Sequence, residues 1–367
     1  MDPRHALKLG RIAGIEVGVH YTWLVIGVLV AWSLAQGALP ASYPGWGAAV
    51  YWTAGILAAL ALFASVLIHE LAHSLVAGRL GVRVESITLF VFGGVSTIRD
   101  EPRRPRDEFL IAVVGPLASL TLAALLWVLR GAVPLPAPGS VQADLLIPRA
   151  VLDYLVTLNA VVGVFNLLPG FPLDGGRVLR SILWGSTHSL RRATDIASYV
   201  GQAVGFGLVF AGLGLLLSGD VLDGLWTAFI GWFLNGAAEA TRRDQALEQD
   251  LSGIPVARLM DIAPPTAPPS MSVRDFVLSH ALWHGRRSLL VVADGRLLVV
   301  ADGRLLGIVT LADAKHVPQS QWATTPLAQI MTPTPLRTAA PDSPLNVALQ
   351  TMVREALNQL PVVDGDR

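Results

Sequence analysis

Long apolar runs constrain this chain more than any other feature of its sequence. Six runs are long enough to cross a bilayer, which takes about 20 helical residues: 17–38, 48–77, 108–130, 150–169, 193–218 and 221–238. Of the 367 residues, 53% are hydrophobic and only 15% are charged, whereas about a quarter of a soluble domain is charged. The sequence therefore predicts a polytopic α-helical membrane protein with about six transmembrane helices.

The charge balance and the cysteine count exclude several kinds of site. Basic and acidic residues both number 27, so the net charge is zero, and no overall basic field favours nucleic acid as a partner. The chain contains no cysteine. Disulfides and thiolate metal sites are therefore excluded, and a bound metal would have to use histidine and carboxylate ligands.

Basic residues are distributed unevenly between the predicted loops. They precede the first apolar run, lie between the second and third, and follow the fourth and the sixth. The loops on the other side are nearly free of lysine and arginine. Because positive residues mark the cytoplasmic side, we expect a multi-pass protein of the cell (plasma) membrane with both termini in the cytoplasm.

Residues 84–98, VESITLFVFGGVSTI, fit neither a span nor an ordinary loop. They are too short to cross a membrane, rich in β-branched and aromatic residues, and interrupted by a glycine pair, which is typical of strands joined in a hairpin. Non-helical backbone survives at membrane depth only against protein or a water-filled cavity. We predict a small membrane-associated β-sheet or re-entrant hairpin here; an interfacial loop is the alternative.

The sequence HELAH, residues 69–73, lies at the end of the second apolar run. On a helix, the spacing of His69 and His73 puts both imidazoles on one face, where both can reach one zinc ion at about 2.0–2.1 Å. Glu70 lies beside them and can act as a general base toward water. Ionisable groups at membrane depth are costly and usually functional, so we interpret the motif as a catalytic zinc site.

A catalytic zinc site needs a third protein ligand and keeps its fourth position open. Glu85, Glu101 and Glu108 are nearby candidates, but they lie in or at the edge of a charged stretch, where a solvated role suffices. Asp174 is the better candidate. Two prolines before it and two glycines after it break the helix and aim the carboxylate.

Two asparagines lie on the span that precedes Asp174. Asn166 comes just before the helix break and can offer an amide N–H to a developing oxyanion. Asn159 is better placed to form a hydrogen bond between helices. We therefore predict a catalytic role for Asn166 and a structural role for Asn159.

The chain changes character after the apolar runs, so residues 1–240 are predicted to form the membrane-embedded domain. Residues 241–253 are charged and predict a helical linker. Beyond them, a soluble α/β region repeats one order of elements, which is helix, strand, Asp-Gly hairpin, strand and helix. The first copy covers 254–318 and the second 326–367, where it stops short of its last strand and helix.

An octapeptide, LLVVADGR, occurs twice in tandem, at 289–296 and 297–304. If both copies were strands, the added strand would reverse the direction of everything after it. Extruding one copy as a loop costs only about a kcal/mol or two of closure entropy. We therefore predict that one copy bulges out and that deleting 297–304 makes the soluble region more stable.

HELAH on a transmembrane helix, followed by NLLPGFPLDGG at 166–176, resembles the site-2 protease family of intramembrane zinc metalloproteases. The repeated α/β region, with Thr310 and Asp313 in GIVTLAD, resembles a pair of cystathionine-β-synthase (CBS) modules. The combination is similar to the subgroup with C-terminal CBS modules, which includes the sporulation protease that processes a sigma-factor precursor.

This resemblance implies an intramembrane metalloendopeptidase with zinc on His69, His73 and Asp174. It implies that Glu70 is the base and acid, and that Asn166 helps to hold the substrate or the oxyanion. The implied partner is a transmembrane protein substrate, such as an anti-sigma factor or a tethered transcription factor precursor.

For the C-terminal region, the resemblance implies regulation of activity and a homodimer formed through the CBS modules. It also implies binding of ATP or another adenine nucleotide, with Thr310 and Asp313 as the contacts. A CBS-regulated ion or metal transporter is the alternative function. Transporters tend to show inverted repeats and ionisable residues at the bilayer midplane, and neither is evident in this sequence.

Overall fold

The computed structural model describes residues 6–90, 93–98, 102–133, 143–262, 264, 266–283, 296–301, 304–355, 357 and 359–364. The chain divides into two compact units, Met1–Gln245 and Ala246–Arg367. Their boundary lies inside the segment 241–253, which is helical as far as Ser252. Each unit holds a four-stranded sheet.

The first unit is mostly helical. Its helices are α1 (Thr22–Ser33), α2 (Leu39–Ser42), α3 (Ala48–Arg79), α4 (Pro105–Ala132), α5 (Ala143–Asn166), α6 (Asp174–Thr187), α7 (Leu190–Ser218) and α8 (Val221–Ser252). A π-helical turn joins α1 to α2. In the described part of the chain, five segments are long and apolar enough to cross a membrane: Thr22–Ser42, Ala48–Arg79, Pro105–Ala132, Ile147–Asn166 and Leu190–Ser218. The prediction of a polytopic helical membrane protein is confirmed.

Two of the six predicted runs differ from the spans found. The run 221–238 forms the first part of α8, which is not among the five spans found in the described residues. Asp223, Asn235 and several glycines lower the mean hydropathy of that run. The first predicted span also begins too early, because residues 17–20 belong to a β-strand and the helix begins at Thr22.

Four strands form a small sheet in the first unit: β1 (Ala6–Ile12), β2 (Ile15–His20), β3 (Val84–Phe90) and β4 (Gly93–Ile98), in that spatial order. The pairs β1–β2 and β3–β4 are antiparallel, whereas β2 and β3 are parallel. The connection between the parallel strands runs through α1, α2 and α3. The predicted hairpin at 84–98 is confirmed, and the N-terminal hairpin that extends it was not predicted.

One face of this sheet packs on α3. Ile15, Ile87 and Leu89 are buried there, and Phe63 and Leu71 of α3 pack against them. Burying each large aliphatic side chain contributes about 1.5–3 kcal/mol. Because Leu71 lies within HELAH, this packing fixes the sheet at the level of the motif.

Small residues let α3 approach its neighbours closely. Ala54, Gly55, Ala58 and Ala59 are all buried on this helix. A Cβ atom on Gly55 would lie 2.7 Å from the carbonyl oxygen of Ala31 in α1, so the two backbones are nearly in contact. Close backbone approach of this kind is typical of packed membrane helices.

A polar cluster ties α4 to α5 near the C-terminus of α4. Arg130 forms an ion pair with Asp153, and the Tyr43 hydroxyl donates a 2.5 Å hydrogen bond to the same carboxylate. Arg149 donates to the carbonyl of Val133 at 3.0 Å, which satisfies an acceptor at the end of α4. Burial and the hydrogen bond to Asp153 raise the pKa of Tyr43 to about 12.

The second unit has the predicted α/β character. It contains β5 (Thr266–Ala267), β6 (Arg296–Ala301), β7 (Arg304–Thr310), β8 (Thr332–Pro333), α9 (Val273–Trp283), α10 (Leu311–Lys315) and α11 (Leu345–Arg354). The sheet order is β5-β6-β7-β8, with β5 parallel to β6 and the other pairs antiparallel. Phe276, Val309 and Leu327 are fully buried in its core.

The two copies of the octapeptide have different positions relative to this sheet. Residues 297–301 of the second copy belong to β6, which pairs with β7 from Leu297–Val309 to Ala301–Arg304. The first copy lies outside the described residues except for Arg296. The second copy is therefore an integral strand, and extrusion of the first copy stays a prediction.

Candidate metal centre

Three potential ligand atoms converge where α3 meets the start of α6. His69 Nε2 lies 3.1 Å from Asp174 Oδ2, His73 Nε2 lies 3.3 Å from the same oxygen, and the two Nε2 atoms are 3.2 Å apart. Among the described residues, these three side chains form the group that could hold a metal ion. Both histidines are buried.

These distances fit a tetrahedral zinc site. Zinc–ligand bonds of about 2.0–2.1 Å in tetrahedral geometry place neighbouring ligand atoms about 3.3 Å apart. The three separations of 3.1, 3.2 and 3.3 Å match that edge length. A half-buried carboxylate with two imidazoles, without any thiolate, is also a donor set that zinc accepts in catalytic sites. The residues present therefore fit the ion that the motif predicts.

Helix α4 orients both imidazoles from behind. His73 Nδ1 lies 2.6 Å from the carbonyl oxygen of Ile111, and His69 Nδ1 lies 2.9 Å from the Ser119 hydroxyl. Because a carbonyl only accepts, His73 carries its proton on Nδ1 and presents the lone pair of Nε2 to the ligand triangle. These contacts were not predicted, since nothing in the spacing of residues along α4 indicates them.

A glycine in α4 makes room for the second histidine. A Cβ atom on Gly115 would lie 2.1 Å from His73 Nε2. That separation is far inside van der Waals contact, so any side chain at residue 115 would displace the imidazole. Gly115 is therefore part of the site, although it offers no ligand atom.

The loop before α6 is folded tightly enough to place Asp174 as the first residue of that helix. A Cβ atom on Gly175 would lie 2.3 Å from the Leu168 carbonyl oxygen, and one on Gly176 would lie 2.3 Å from the Gly170 carbonyl carbon. The glycine pair after Asp174 thus lets the loop lie across the start of α6. Phe171 anchors the loop, because its N–H donates to the Ala197 carbonyl of α7 at 3.3 Å.

The carboxylate of the motif is covered by the sheet. Glu70 is half-buried beside the two histidines on α3, and the backbone of β4 passes directly over it. A Cβ atom on Gly94 would lie 2.3 Å from Glu70 Cγ and 2.9 Å from Glu70 Oε1. The glycine pair that predicted a hairpin is therefore also what allows the strand to approach this side chain.

The alternative third ligands do not join the ligand triangle. Glu85 and Glu108 are absent from the group of metal-capable side chains in the described residues, and Glu101 lies outside those residues. The expectation of a solvated Glu108 is wrong: only 1% of it is exposed, and Arg180 of α6 donates to its carboxylate from Nε at 2.6 Å and also from Nη2. Glu108 lies next to a charged stretch, and its partner Arg180 is distant in the sequence, so the sequence alone did not indicate the ion pair.

The two asparagines differ in their partners. Asn159 is buried and donates to the Ser65 hydroxyl of α3 at 3.1 Å, so its predicted interhelical hydrogen bond is confirmed. Asn166 donates to the Val162 carbonyl of its own helix at 3.1 Å. A catalytic role for Asn166 stays a prediction.

The residues predicted to contact nucleotide form a capping box at the start of α10. The Thr310 hydroxyl accepts from the Asp313 N–H, and Asp313 Oδ2 accepts from the Thr310 N–H at 2.8 Å. Such a cap stabilises a helix N-terminus by about 1 kcal/mol. These contacts give both residues a structural role in the fold, and nucleotide binding stays a prediction.

Five helices long enough to span a membrane, together with a group of two histidines, an aspartate and an adjacent glutamate, are typical of a membrane-embedded, metal-dependent hydrolase. The profile of Peptidase family M50 matches residues 57–139 and 138–208, and that of the CBS domain matches residues 327–367. Rip3 of Mycobacterium tuberculosis, named as a zinc metalloprotease, is 40% identical over 350 residues, which cover 95% of this chain and 86% of Rip3.

Two further matches come from Methanocaldococcus jannaschii, one a curated sequence and one a solved structure. Zinc metalloprotease MJ0392 is 29% identical over 294 residues, covering 80% of this chain and 77% of that protein. The solved structure of a site-2 protease aligns at 29% identity with a TM-score of 0.43, covering 65% of this chain and 95% of the other. The chain belongs to peptidase family M50, the site-2 protease family, and is a metalloendopeptidase.

Proposed function

We propose that this protein is an intramembrane zinc protease that hydrolyses peptide bonds in or near transmembrane segments of membrane-tethered substrates. The observation that carries the proposal is the convergence of His69, His73 and Asp174 at the end of a span, with Glu70 beside them. Membership of family M50 favours this function over the alternative of a CBS-regulated transporter.

The proposed chemistry divides between the metal and the side chains. His69, His73 and Asp174 would hold one zinc ion per chain, which supplies Lewis acidity and lowers the pKa of water at its open position to about 7. Glu70 takes the proton from the attacking water and returns it to the leaving amine. The contacts of the imidazoles with α4 hold both Nε2 atoms at the ligand triangle, where they would bind the ion.

Presentation of the substrate requires an unwound segment, because a helical peptide bond in lipid is shielded and already hydrogen-bonded. The sheet supports a way to hold such a segment. In the described strand order β4 is terminal, and its Gly94 lies against Glu70. An extended substrate that adds to the edge of β4 would place its backbone beside the general base.

Orientation, partners and regulation belong to the same proposal. Basic residues in the loop after α3 and in the first turn of α7 support a cell-membrane protein with both termini and the zinc site near the cytoplasm. The substrate class is a tethered signalling protein, such as an anti-sigma factor or a transcription factor precursor. The CBS region would regulate cleavage, with ATP at Thr310 and Asp313 and a homodimer through the modules as the specific hypotheses.

Two variants and one control test the catalytic assignment. Glu70→Gln removes only the proton-transfer group, so it should bind zinc like the wild type and fail to cleave a tethered reporter. Asp174→Ala should lose zinc, whereas Glu85→Ala should retain both zinc and cleavage. Full zinc occupancy and activity in Asp174→Ala would refute the ligand assignment, and residual cleavage by Glu70→Gln within a few-fold of wild type would place the base elsewhere.

A third measurement addresses regulation. ATP should change the cleavage rate of the full chain, and Asp313→Ala should reduce that effect. Because Asp313 also caps α10, thermal unfolding of the variant without ATP is the control for loss of the cap. A cleavage rate independent of ATP would remove the nucleotide hypothesis and leave the protease assignment intact.

A further inference from the structure

An ion pair remains that the proposed chemistry does not use. Glu108 of α4 and Arg180 of α6 are 1% and 7% exposed, and Arg180 Nε donates to Glu108 Oε1 at 2.6 Å. The guanidinium also lies over the ring of Phe171, with 5.3 Å between Cζ and the ring centroid. Arg180 therefore contacts both α4 and the loop that leads into Asp174.

The two partners lie on the two helices that determine the geometry of the ligand triangle. Glu108 precedes Ile111, whose carbonyl holds His73, by about 4.5 Å along the axis of α4. Arg180 follows Asp174, the first residue of α6, by about 9 Å along its own axis. The ion pair thus connects α4 to α6 close to the point where each reaches the metal centre.

We propose that the Glu108–Arg180 ion pair positions the metal ligands by holding α6 in register with α4. The proposal rests on the zinc site proposed above. Nε and Nη2 of one planar guanidinium both donate to Glu108 Oε1. This restricts the distance and the direction of approach more than an apolar contact between the helices does. Asp174 is the ligand most dependent on this connection, because the other two ligands share a single helix.

The stability of variants that lack one or both partners of the ion pair distinguishes a positioning role from a purely structural one. Replacing a buried ion pair by apolar side chains of similar volume is often neutral or stabilising, whereas removing one partner leaves an unpaired buried charge and destabilises the fold. A double replacement therefore keeps the helices packed while it removes the directional contact. If the pair acts only through stability, that replacement leaves the metal centre unchanged.

The test uses the purified full chain in detergent. Glu108→Met/Arg180→Met should unfold within a few degrees of the wild type when free of metal, but its zinc affinity in competition with a chelating dye should fall by about 10- to 100-fold, the range found for residues that orient ligands. Its cobalt-substituted form should show a weaker and shifted visible band, because the ligand geometry is altered. Arg180→Lys keeps the charge but loses the planar guanidinium. Its zinc affinity and cobalt spectrum should lie between those of the wild type and those of the double variant.

A control replaces a second ion pair of α4. Arg130→Met/Asp153→Met removes a pair that joins α4 to α5 and should leave zinc affinity and the cobalt spectrum unchanged. Wild-type affinity and spectrum in Glu108→Met/Arg180→Met would overturn the inference. If that variant does not fold, the zinc affinity and the cobalt spectrum of Arg180→Lys decide instead, and wild-type values of both would overturn the inference. A wild-type chain that binds no zinc would instead refute the proposed function itself.

Discussion

Gly94 of β4 lies against the carboxylate side chain of Glu70, so closely that a methyl group at residue 94 would come within 2.3 Å of Glu70 Cγ. The proposed general base and the edge strand of the sheet are therefore in direct contact. This contact joins the two parts of the proposed mechanism, which are proton transfer and presentation of an extended substrate.

Gly94→Ala should therefore impair cleavage without removing the metal. The added methyl group forces either β4 or Glu70 to move, and a misplacement of about 1 Å at a reacting group can cost about 100-fold in rate. We expect at least a 10-fold loss of reporter cleavage with wild-type zinc content. Gly78→Ala on α3, where no described atom lies within 4 Å of the added methyl group, is the control. Equal activity of the two variants would contradict the prediction.

Gly115→Ala, unlike Gly94→Ala, should lose the metal. The new Cβ atom would lie 2.1 Å from His73 Nε2, which displaces that ligand atom from the triangle. Zinc content after dialysis should fall well below one equivalent per chain, and cleavage should fall with it. The control is Gly131→Ala on the same helix, where the described atoms leave the methyl position open. Full zinc content in Gly115→Ala would contradict the prediction and show that α4 can move to accommodate the methyl group.

Consecutive proline substitutions in β4 should distinguish strand addition from a plain loop. In an antiparallel strand, successive N–H groups point alternately to the paired strand and away from it. Of Val95→Pro and Ser96→Pro, one should disrupt the β3–β4 ladder and the other should block only the free edge. The edge variant should keep its zinc and its thermal stability but cleave poorly, while alanine at the same position has little effect. Normal cleavage by that variant would exclude strand addition.

The same experiment is not informative in β3. Leu89 is buried, pairs with Gly94 on one side and Val19 on the other, and packs against α3. Proline there would remove hydrogen bonds from the centre of the sheet and unfold it. Loss of cleavage would then say nothing about how the substrate binds.

Deleting one copy of the octapeptide should stabilise the second unit. Removing 289–296 or 297–304 produces the same sequence, because the copies are identical and adjacent. The remaining copy can form β6, which the second copy forms here. We expect unchanged zinc content and basal cleavage, with a higher midpoint for thermal unfolding of the second unit in the full chain. A lower midpoint would mean that both copies are needed in the fold.

The sequence by itself determined those features that depend on local spacing. HELAH places His69 and His73 one helical turn apart wherever the helix lies. The prolines and glycines around Asp174 interrupt the helical structure before α6. The length of the apolar runs is enough to predict five of the spans. Glycines next to β-branched residues were enough to predict the hairpin of β3 and β4.

Only the tertiary structure decided which distant residues meet. Ser119 and Ile111 support the imidazoles from another helix, Arg180 neutralises Glu108, and β2 pairs in parallel with β3 across two spans. Contacts between residues far apart in the chain leave no periodic pattern in the sequence, because packing selects them only after the helices have assembled. For the same reason, a glutamate beside a charged stretch suggested a solvated side chain, although in the folded protein Glu108 is among the most deeply buried.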